Sequence, residues 1–331
     1  MNCLITGCSG LIGPYLAELL LLQDVTVFAT YHSTVDGLHH LRDQVVLLPC
    51  DVSQPNHLRE VLERARPDCV FHMAAESHPA KSWQDPEGTF RINLLGTLNL
   101  LNALRRQNPD CLAVVFGSSA EYGRPPAVYE RISETLPLRP DSPYGVSKVA
   151  AELLSDVYAR AYGMRIIHVR PFFVVGPGRA SNVCSDFAIR IAEIELGLAD
   201  SLGVGNLAAV RDFVDVRDAA RAIWAIAEKG AAGEVYNLCS GQGYSIQEVL
   251  DHMLALSANS IQVYTDPQKC RPLDTPVLIG DNAKLQQLGW IPKIPLQTSL
   301  ADILNFWRRQ KKDTNLALRG SHQNLVQGSN A

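Results

Sequence analysis

The first two dozen residues leave this chain the fewest choices. Asn2-Cys-Leu-Ile-Thr6 is a short apolar run. Gly7-Cys8-Ser9-Gly10-Leu11-Ile12-Gly13 follows as a G-x-x-G-x-x-G turn, and a helical pattern runs from Tyr15 to Leu22. A strand, a Gly-rich turn and a helix in that order suit a dinucleotide pyrophosphate. Gly7 permits a turn that side chains would block, Gly10 lets main-chain N–H groups approach phosphate, and Gly13 lets the helix pack on the strand. An ordinary strand–helix turn would also hold three glycines. Their place at the start of the chain and their flanking pattern favour the dinucleotide reading.

Apolar and amphipathic segments then alternate. Strands are expected at Val25–Thr30, Val45–Pro49, Cys69–Met73, Leu112–Gly117 and Arg165–Val169, and helices at His57–Ala65, Phe90–Arg106 and Ser147–Tyr162. Continuous apolar strands separated by helices imply a parallel sheet covered on both faces. The expected fold is α/β: a Rossmann-type doubly wound sheet with a smaller C-terminal substrate-binding subdomain. Residues 1–170 would form the NAD(P)-binding part, with 211–240 returning to it. Residues 171–210 and 241–310 would bind substrate. Ser245-Ile-Gln-Glu248 reads as a capping box for a helix reaching Leu256, and Leu285–Gly289 and Leu300–Trp307 as closing helices. Residues 311–331 turn polar and are expected to be disordered.

Bulk properties exclude several roles. A net charge of −4 over 331 residues argues against coating nucleic acid. The eight cysteines form no C-x-x-C pair, which favours buried thiols in a reducing compartment over disulfides or a metal site. No apolar run approaches the ~20 residues of a membrane helix. The first strand follows Met1 directly, leaving no room for a signal peptide, so a cytoplasmic location is expected.

In a doubly wound sheet, ligands meet the carboxyl ends of the strands. After the second strand, Tyr31-His32-Ser33-Thr34 offers hydroxyls and a histidine where a ribose-binding acid often stands. That favours NADP(H), with NAD(H) as the alternative. Asp51-Val52 can reach the adenine edge or belong to a helix N-terminus. Ala74-Ala75 are small enough for close approach, and Ser77 and His78 follow at the mouth of the site. The fifth strand ends in Gly117-Ser118-Ser119-Ala120-Glu121-Tyr122-Gly123. Downstream, Tyr144 and Lys148 are spaced i and i+4, on one helix face. An ammonium at ~4 Å and an effective dielectric of ~20 is worth about 4 kcal/mol, enough to bring a phenol from about 10 toward neutrality. Tyr144 would then exchange a proton with a sugar oxygen, Lys148 would lower its pKa, and Ser118 would orient the same oxygen.

Thr6-Gly-Cys-Ser-Gly-Leu-Ile-Gly13, His72-Met-Ala-Ala-Glu-Ser77, Asn93-Leu-Leu-Gly-Thr97, Gly117-Ser-Ser-Ala-Glu-Tyr-Gly123 and Tyr144-Gly-Val-Ser-Lys148 resemble the extended short-chain dehydrogenase/reductase family of nucleotide-sugar enzymes. Arg170-Pro-Phe-Phe-Val-Val-Gly-Pro-Gly178, Arg211-Asp-Phe-Val-Asp215 and Arg271-Pro-Leu-Asp-Thr-Pro276 look like the branch holding GDP-mannose 4,6-dehydratase and GDP-4-keto-6-deoxy-mannose reductase. The resemblance implies a GDP-linked substrate and a homodimer paired through Leu94–Arg105 and Ala150–Tyr162. The implied catalytic set is Ser118, Tyr144 and Lys148. Cofactor contacts would come from Gly7, Ser9, Gly10, Leu11, Ile12, Gly13, Tyr31, Asp51, Val52, Met73, Ala74, Ala75, Tyr144, Lys148 and Arg170. Substrate contacts would come from Ser77, Ser119, Glu121, Arg179, Arg190, Arg211 and Arg271; no metal is expected.

Dehydration across C5 and C6 needs an extra acid/base carboxylate, which those dehydratases carry two residues after the catalytic hydroxyl. That position is Ala120 here, and Glu121 in an extended strand would point the other way. A reductase needs only a hydride and a proton, so reduction of a 4-keto sugar is expected, with a dehydratase or 4-epimerase as the alternative. A non-catalytic NADP-binding regulator is disfavoured by the complete Ser–Tyr–Lys set. Many members of the branch have Asn where this chain has Phe173.

Overall fold

The structure, a computed structural model, describes all residues except 127–129, 179–181, 270–274 and 329–331, and no side chain at position 36 or beyond 315. Along the chain run β1 (Asn2–Thr6), α1 (Ile12–Leu21), β2 (Thr26–Tyr31), β3 (Val46–Pro49), α2 (Pro55–Ala65), β4 (Cys69–His72), α3 (Pro79–Gln84), α4 (Pro86–Phe90), α5 (Gly96–Gln107), β5 (Leu112–Phe116), α6 (Pro143–Tyr162), β6 (Ile166–Pro171), β7 (Phe173–Val175), α7 (Val183–Glu195), β8 (Ser201–Val204) and β9 (Val210–Asp215). Then come α8 (Val216–Lys229), β10 (Val235–Leu238), β11 (Gly243–Ser245), α9 (Ile246–Leu254), β12 (Gln262–Thr265), β13 (Val277–Leu278), α10 (Ala283–Gln286) and α11 (Leu296–Gly328).

Seven strands form one sheet in the order β3-β2-β1-β4-β5-β6-β10, every pairing parallel. Alternate residues of each strand feed opposite faces. Leu4, Val70 and Ala113 pack with Leu58, Leu100 and Leu104 of α2 and α5, and partly buried Leu154 of α6 joins them. Ile5, Phe71 and Val114 pack with Leu16, Leu20, Ile223 and Ile226 of α1 and α8. The strand order reverses between β1 and β4, and the crevice for a ligand opens there at the carboxyl ends.

A smaller layer stands beyond those ends. β9 lies between β11 and β13 and also pairs with β7, and β8 pairs with β12. Val175, Phe187, Phe213, Leu250, Leu300 and Leu304 share its core. Residues 211–215 thus belong to this second sheet, and the chain returns to the first only at Val216, later than expected. β9 runs on into α8, so one continuous segment joins the two layers.

Three expectations about helices need correction. The single helix at Phe90–Arg106 is α4, a π-helical turn at Arg91–Leu95, and α5. α6 begins at Pro143, with the Ser142 side chain accepting from the Gly145 N–H at 3.2 Å as its N-cap and Pro143 in the first turn, where no donor is lost. The polar C-terminal stretch continues α11 through Gly328. Lys, Arg, Gln, Leu and Ala there are good helix formers, and Lys311 Nζ donates to Glu193 Oε1 of α7 at 2.7 Å. The capping box at Ser245 and Glu248 is present.

Candidate active site

The turn after β1 has the geometry a pyrophosphate requires. Gly7 sits at φ +69°, and a Cβ there would lie 2.6 Å from Ala74 Cα. A Cβ on Gly13 would lie 2.2 Å from the Cys8 carbonyl oxygen. Gly10 is exposed, its N–H donating to the Gly7 carbonyl at 3.1 Å. Leu11 caps α1 with no side-chain hydrogen bond, so the first-turn N–H groups face the turn unscreened. These residues fit a bound dinucleotide. Ala74 N–H donates to Thr6 Oγ1 at 3.3 Å, which holds the strand end of β4 against β1.

Other expected cofactor contacts divide. Tyr31 ends β2, half-buried, while Ile12, Met73 and Ala75 are partly buried around the crevice and Ser9 lies on the turn itself. Asp51 Oδ1 accepts the Ser53 N–H at 2.9 Å. Burial opposes ionisation of its carboxyl, yet the Ser53 bonds and the charges of His32 and His57 hold it below the usual range. Val52 is buried against Gly96, where a Cβ would lie 2.8 Å from its Cγ2.

Arg170 is not in the crevice. It is buried, donating to Glu152 at 3.0 and 2.5 Å and to the Tyr122 hydroxyl at 2.8 Å. A charge in the core needs paired carboxylates, and Arg170 has them on its own side of the sheet. Glu121, expected at the substrate, is likewise wholly buried, 3.2 Å from Arg170 Nε. It lies in a helical turn at Ser119–Glu121, and its Oε1 accepts the Ser118 N–H at 2.8 Å. The turn, rather than an extended strand, directs it inward.

Ser118 and Tyr144 are brought together, near enough for the Ser118 hydroxyl to act on the phenol. α6 approaches closely because residue 145 is glycine: a Cβ there would lie 2.6 Å from the Ala120 carbonyl oxygen. The Tyr144 N–H donates to Ser82 Oγ of α3 at 3.1 Å. Lys148 shares the helix but does not depress the phenol as expected. Burial pushes Tyr144 up to about 12, and the groups acting on it are the Ser118 hydroxyl, which lowers it, and Glu121 and Glu76, which raise it. The Lys148 ammonium is itself buried and donates to the Phe116 carbonyl at 2.7 Å. Burial lowers it to about 8. The phenol is therefore held neutral, as a proton donor.

Three positions absent from the expected set hold the site. Asn93, in the π-helical turn, accepts the Glu76 N–H at 2.8 Å and donates to the Glu76 carbonyl at 3.1 Å and to Ser147 Oγ at 2.9 Å. A polar side chain at a π-turn is a recognisable functional signature in a structure, but the sequence shows only an Asn in a helical run. Glu76 binds His78 Nδ1 at 2.9 Å and also Lys81, beside exposed Ser77. His72 bridges Thr6 and Thr97 at 2.8 and 3.2 Å, and burial, aided by Lys148, pushes it down to about 3.

On the substrate side, Ser119 is buried beside Ser118. Arg211 lies in β9 with Nη1 donating to the Val210 and Thr275 carbonyls at 2.9 and 2.6 Å, and its guanidinium stands 5.6 Å from the Phe173 ring centroid. Phe173 thus packs against this arginine. Arg190 braces β8, donating to the Ser201 carbonyl at 2.8 Å and pairing with Glu193 at 3.3 Å. Arg179 and Arg271 lie outside the described residues.

Fold and site together define an NAD(P)-dependent enzyme of the extended short-chain dehydrogenase/reductase type. The chain belongs to the GDP-mannose 4,6 dehydratase family, whose profile matches residues 4–303. It is 33% identical over 316 residues to GDP-6-deoxy-D-mannose reductase of Pseudomonas aeruginosa, covering 93% of this chain and 98% of that one. It is 28% identical to GDP-mannose 4,6-dehydratase of Yersinia enterocolitica, covering 92% of each. The structure of RMD from Pseudomonas aeruginosa complexed with NADPH superposes with a TM-score of 0.81 at 32% identity, over 94% of this chain and all of that one.

Proposed function

We propose that the protein reduces the 4-keto group of a GDP-linked 4-keto-6-deoxy-hexose with NADPH. The observation that carries this reading is the turn after β5. The position two residues after Ser118 is Ala120, and the adjoining carboxyl, Glu121, is buried beneath the main chain. Reduction needs no carboxylate at that point; elimination does.

Bound in the crevice, the reduced nicotinamide supplies the hydride. The Ser118 hydroxyl orients the ketone oxygen, and the neutral Tyr144 phenol delivers a proton to it as it becomes an alkoxide. A phenol near 12 still gives its proton readily to a far more basic alkoxide, so the raised value suits an acid. Lys148 places a positive charge beneath the pair, anchored to the strand that carries Ser118. Arg211 supplies charge for the diphosphate, with Arg271 and Arg179 as further partners.

Dehydration of GDP-mannose is the second reading, because relatives bearing that name match almost as broadly. Glu76 is the carboxylate available for it. Burial opposes its ionisation, but its bonds to Lys81 and His78 keep its pKa below the usual range. Purified protein is incubated with GDP-mannose and, separately, with its 4-keto-6-deoxy product, while NADPH absorbance is followed. Consumption of NADPH with the keto-sugar alone supports reduction. Conversion of GDP-mannose without net cofactor loss overturns it.

We further propose a cytosolic homodimer. Leu95, Leu153, Val157 and Tyr162 are exposed on the neighbouring α5 and α6 region, and a second copy would cover them. Among the described residues no helix is long and apolar enough to cross a membrane. Sedimentation of a single species of monomer mass would contradict the dimer.

A further inference from the structure

Beneath Ser118 lies a buried carboxyl with one oxygen left unpartnered among the described residues. Glu121 Oε1 reaches the Ser118 N–H only because residue 117 is glycine; a Cβ there would lie 2.2 Å from it. The other oxygen, Oε2, is 3.2 Å from Arg170 Nε yet has no hydrogen-bond donor aimed at it among the described residues. Arg170 directs Nε and Nη2 to Glu152, at 3.0 and 2.5 Å, and Nη1 to the Tyr122 hydroxyl and the Glu134 carbonyl at 2.8 and 3.1 Å. One guanidinium therefore serves two buried carboxyls, and its hydrogen bonds go to only one of them.

The remaining groups around the pair direct no second cationic donor at Glu121; Lys148 attracts it, but its hydrogen bond goes elsewhere. From β6, His168 is buried and burial lowers it to about 4, so it is neutral. From α6, Tyr144 is a neutral phenol and the Lys148 ammonium is turned to the Phe116 carbonyl. From the turn itself, burial keeps the Tyr122 phenol neutral. Glu134 directs its own carboxylate to the Asn237 N–H at 2.9 Å. With both carboxyls ionised, Oε2 would be a buried anionic oxygen with no donor aimed at it, a cost that a bound proton removes. Protonated, Glu121 Oε2 becomes a donor, with the neighbouring Glu152 carboxylate as acceptor.

We propose that Glu121 is a positioning residue kept as a neutral carboxylic acid: Oε1 fixes the Ser118 main chain, and the proton on Oε2 is shared with Glu152. This rests on Ser118 as the hydroxyl that orients the substrate. Burial and the Glu152 charge push Glu121 up to about 8, in the same sense. Glutamine reproduces the arrangement, since its carbonyl accepts from Ser118 and its amide donates to Glu152. Leucine removes both bonds.

Infrared spectra of the full-length protein at neutral pH provide the test, and they need no substrate. A protonated carboxyl C=O stretch is expected in the wild type and is lost in Glu121→Gln. In keto-sugar reduction, Glu121→Gln retains turnover within several-fold of wild type, whereas Glu121→Leu lowers kcat about 10²-fold through a displaced Ser118. Absence of that band from wild type, its persistence in Glu121→Gln, or a Glu121→Gln enzyme as slow as Glu121→Leu each overturns the proposal. Should Glu121→Leu not fold, the band alone decides. Because the spectrum is taken without a sugar, its outcome is separate from the identity of the substrate.

Discussion

Lys148 Nζ donates a 2.7 Å hydrogen bond to the carbonyl oxygen of Phe116, the last residue of β5. The bond joins α6 to the strand that presents Ser118, so the lysine fixes the distance between the two halves of the catalytic set as well as supplying charge. It also explains why Tyr144 is not depressed: the ammonium is directed to a main-chain oxygen, and burial governs the phenol.

The pH profile follows from the lysine. Burial lowers Lys148 from 10.5 to about 8. Below that value it is charged; above it the proton leaves, and the charge-assisted bond that ties α6 to Phe116 weakens with it. Turnover should be level up to about pH 8 and fall on the alkaline side. Lys148→Met should lose most activity and the alkaline limb together. A wild-type profile that stays level well past that point contradicts the role.

Removal of the phenolic hydroxyl should stop proton delivery without disturbing the fold. Tyr144→Phe is expected to lower kcat roughly 10²–10⁴-fold, with NADPH affinity by fluorescence titration unchanged within a few-fold. Retained turnover would remove Tyr144 from the chemistry.

Arg170 has a structural test. Arg170→Met leaves Glu121 and Glu152 buried without their cation, which should cost about 3–5 kcal/mol in denaturant unfolding. NADPH binding by the folded fraction should hold at the wild-type level. A large loss of cofactor affinity with stability intact would return Arg170 to the cofactor site.

Arg211 should act on substrate alone. Arg211→Leu removes charge-assisted bonds to the diphosphate and should raise KM for the nucleotide-sugar roughly 10–100-fold at little cost to kcat. An unchanged KM in steady-state assays would place the diphosphate elsewhere.

The main sheet was legible because its strands are buried on both faces and read as unbroken apolar runs such as Cys69-Val-Phe-His72. The glycine turn and the Tyr144–Lys148 spacing were legible because each is local: one turn of chain fixes the geometry. Arg170 and Glu121 were not. Whether a charged side chain faces a crevice or a core depends on partners distant in sequence, here Glu152 on a different element, and no periodicity carries that information. Glu121 also lies in a helical turn after β5, which the apolar pattern of the strand does not announce. α11 escaped for a different reason. Polar composition suits a solvated tail and an exposed helix equally, and only its first residue, Lys311, has a long-range partner, Glu193, among the described side chains from 311 on.

The central claim is that hydride passes to C4 of a keto-sugar in a site whose acid is Tyr144. Deuterated NADPH, labelled on the transferred position, is incubated with enzyme and a GDP-linked 4-keto-6-deoxy-hexose, and the product is read by NMR. Deuterium at C4 of a reduced sugar, formed in step with oxidised cofactor, is the predicted result. A product with no label at C4, or the keto-sugar recovered unchanged while GDP-mannose is converted, would contradict it.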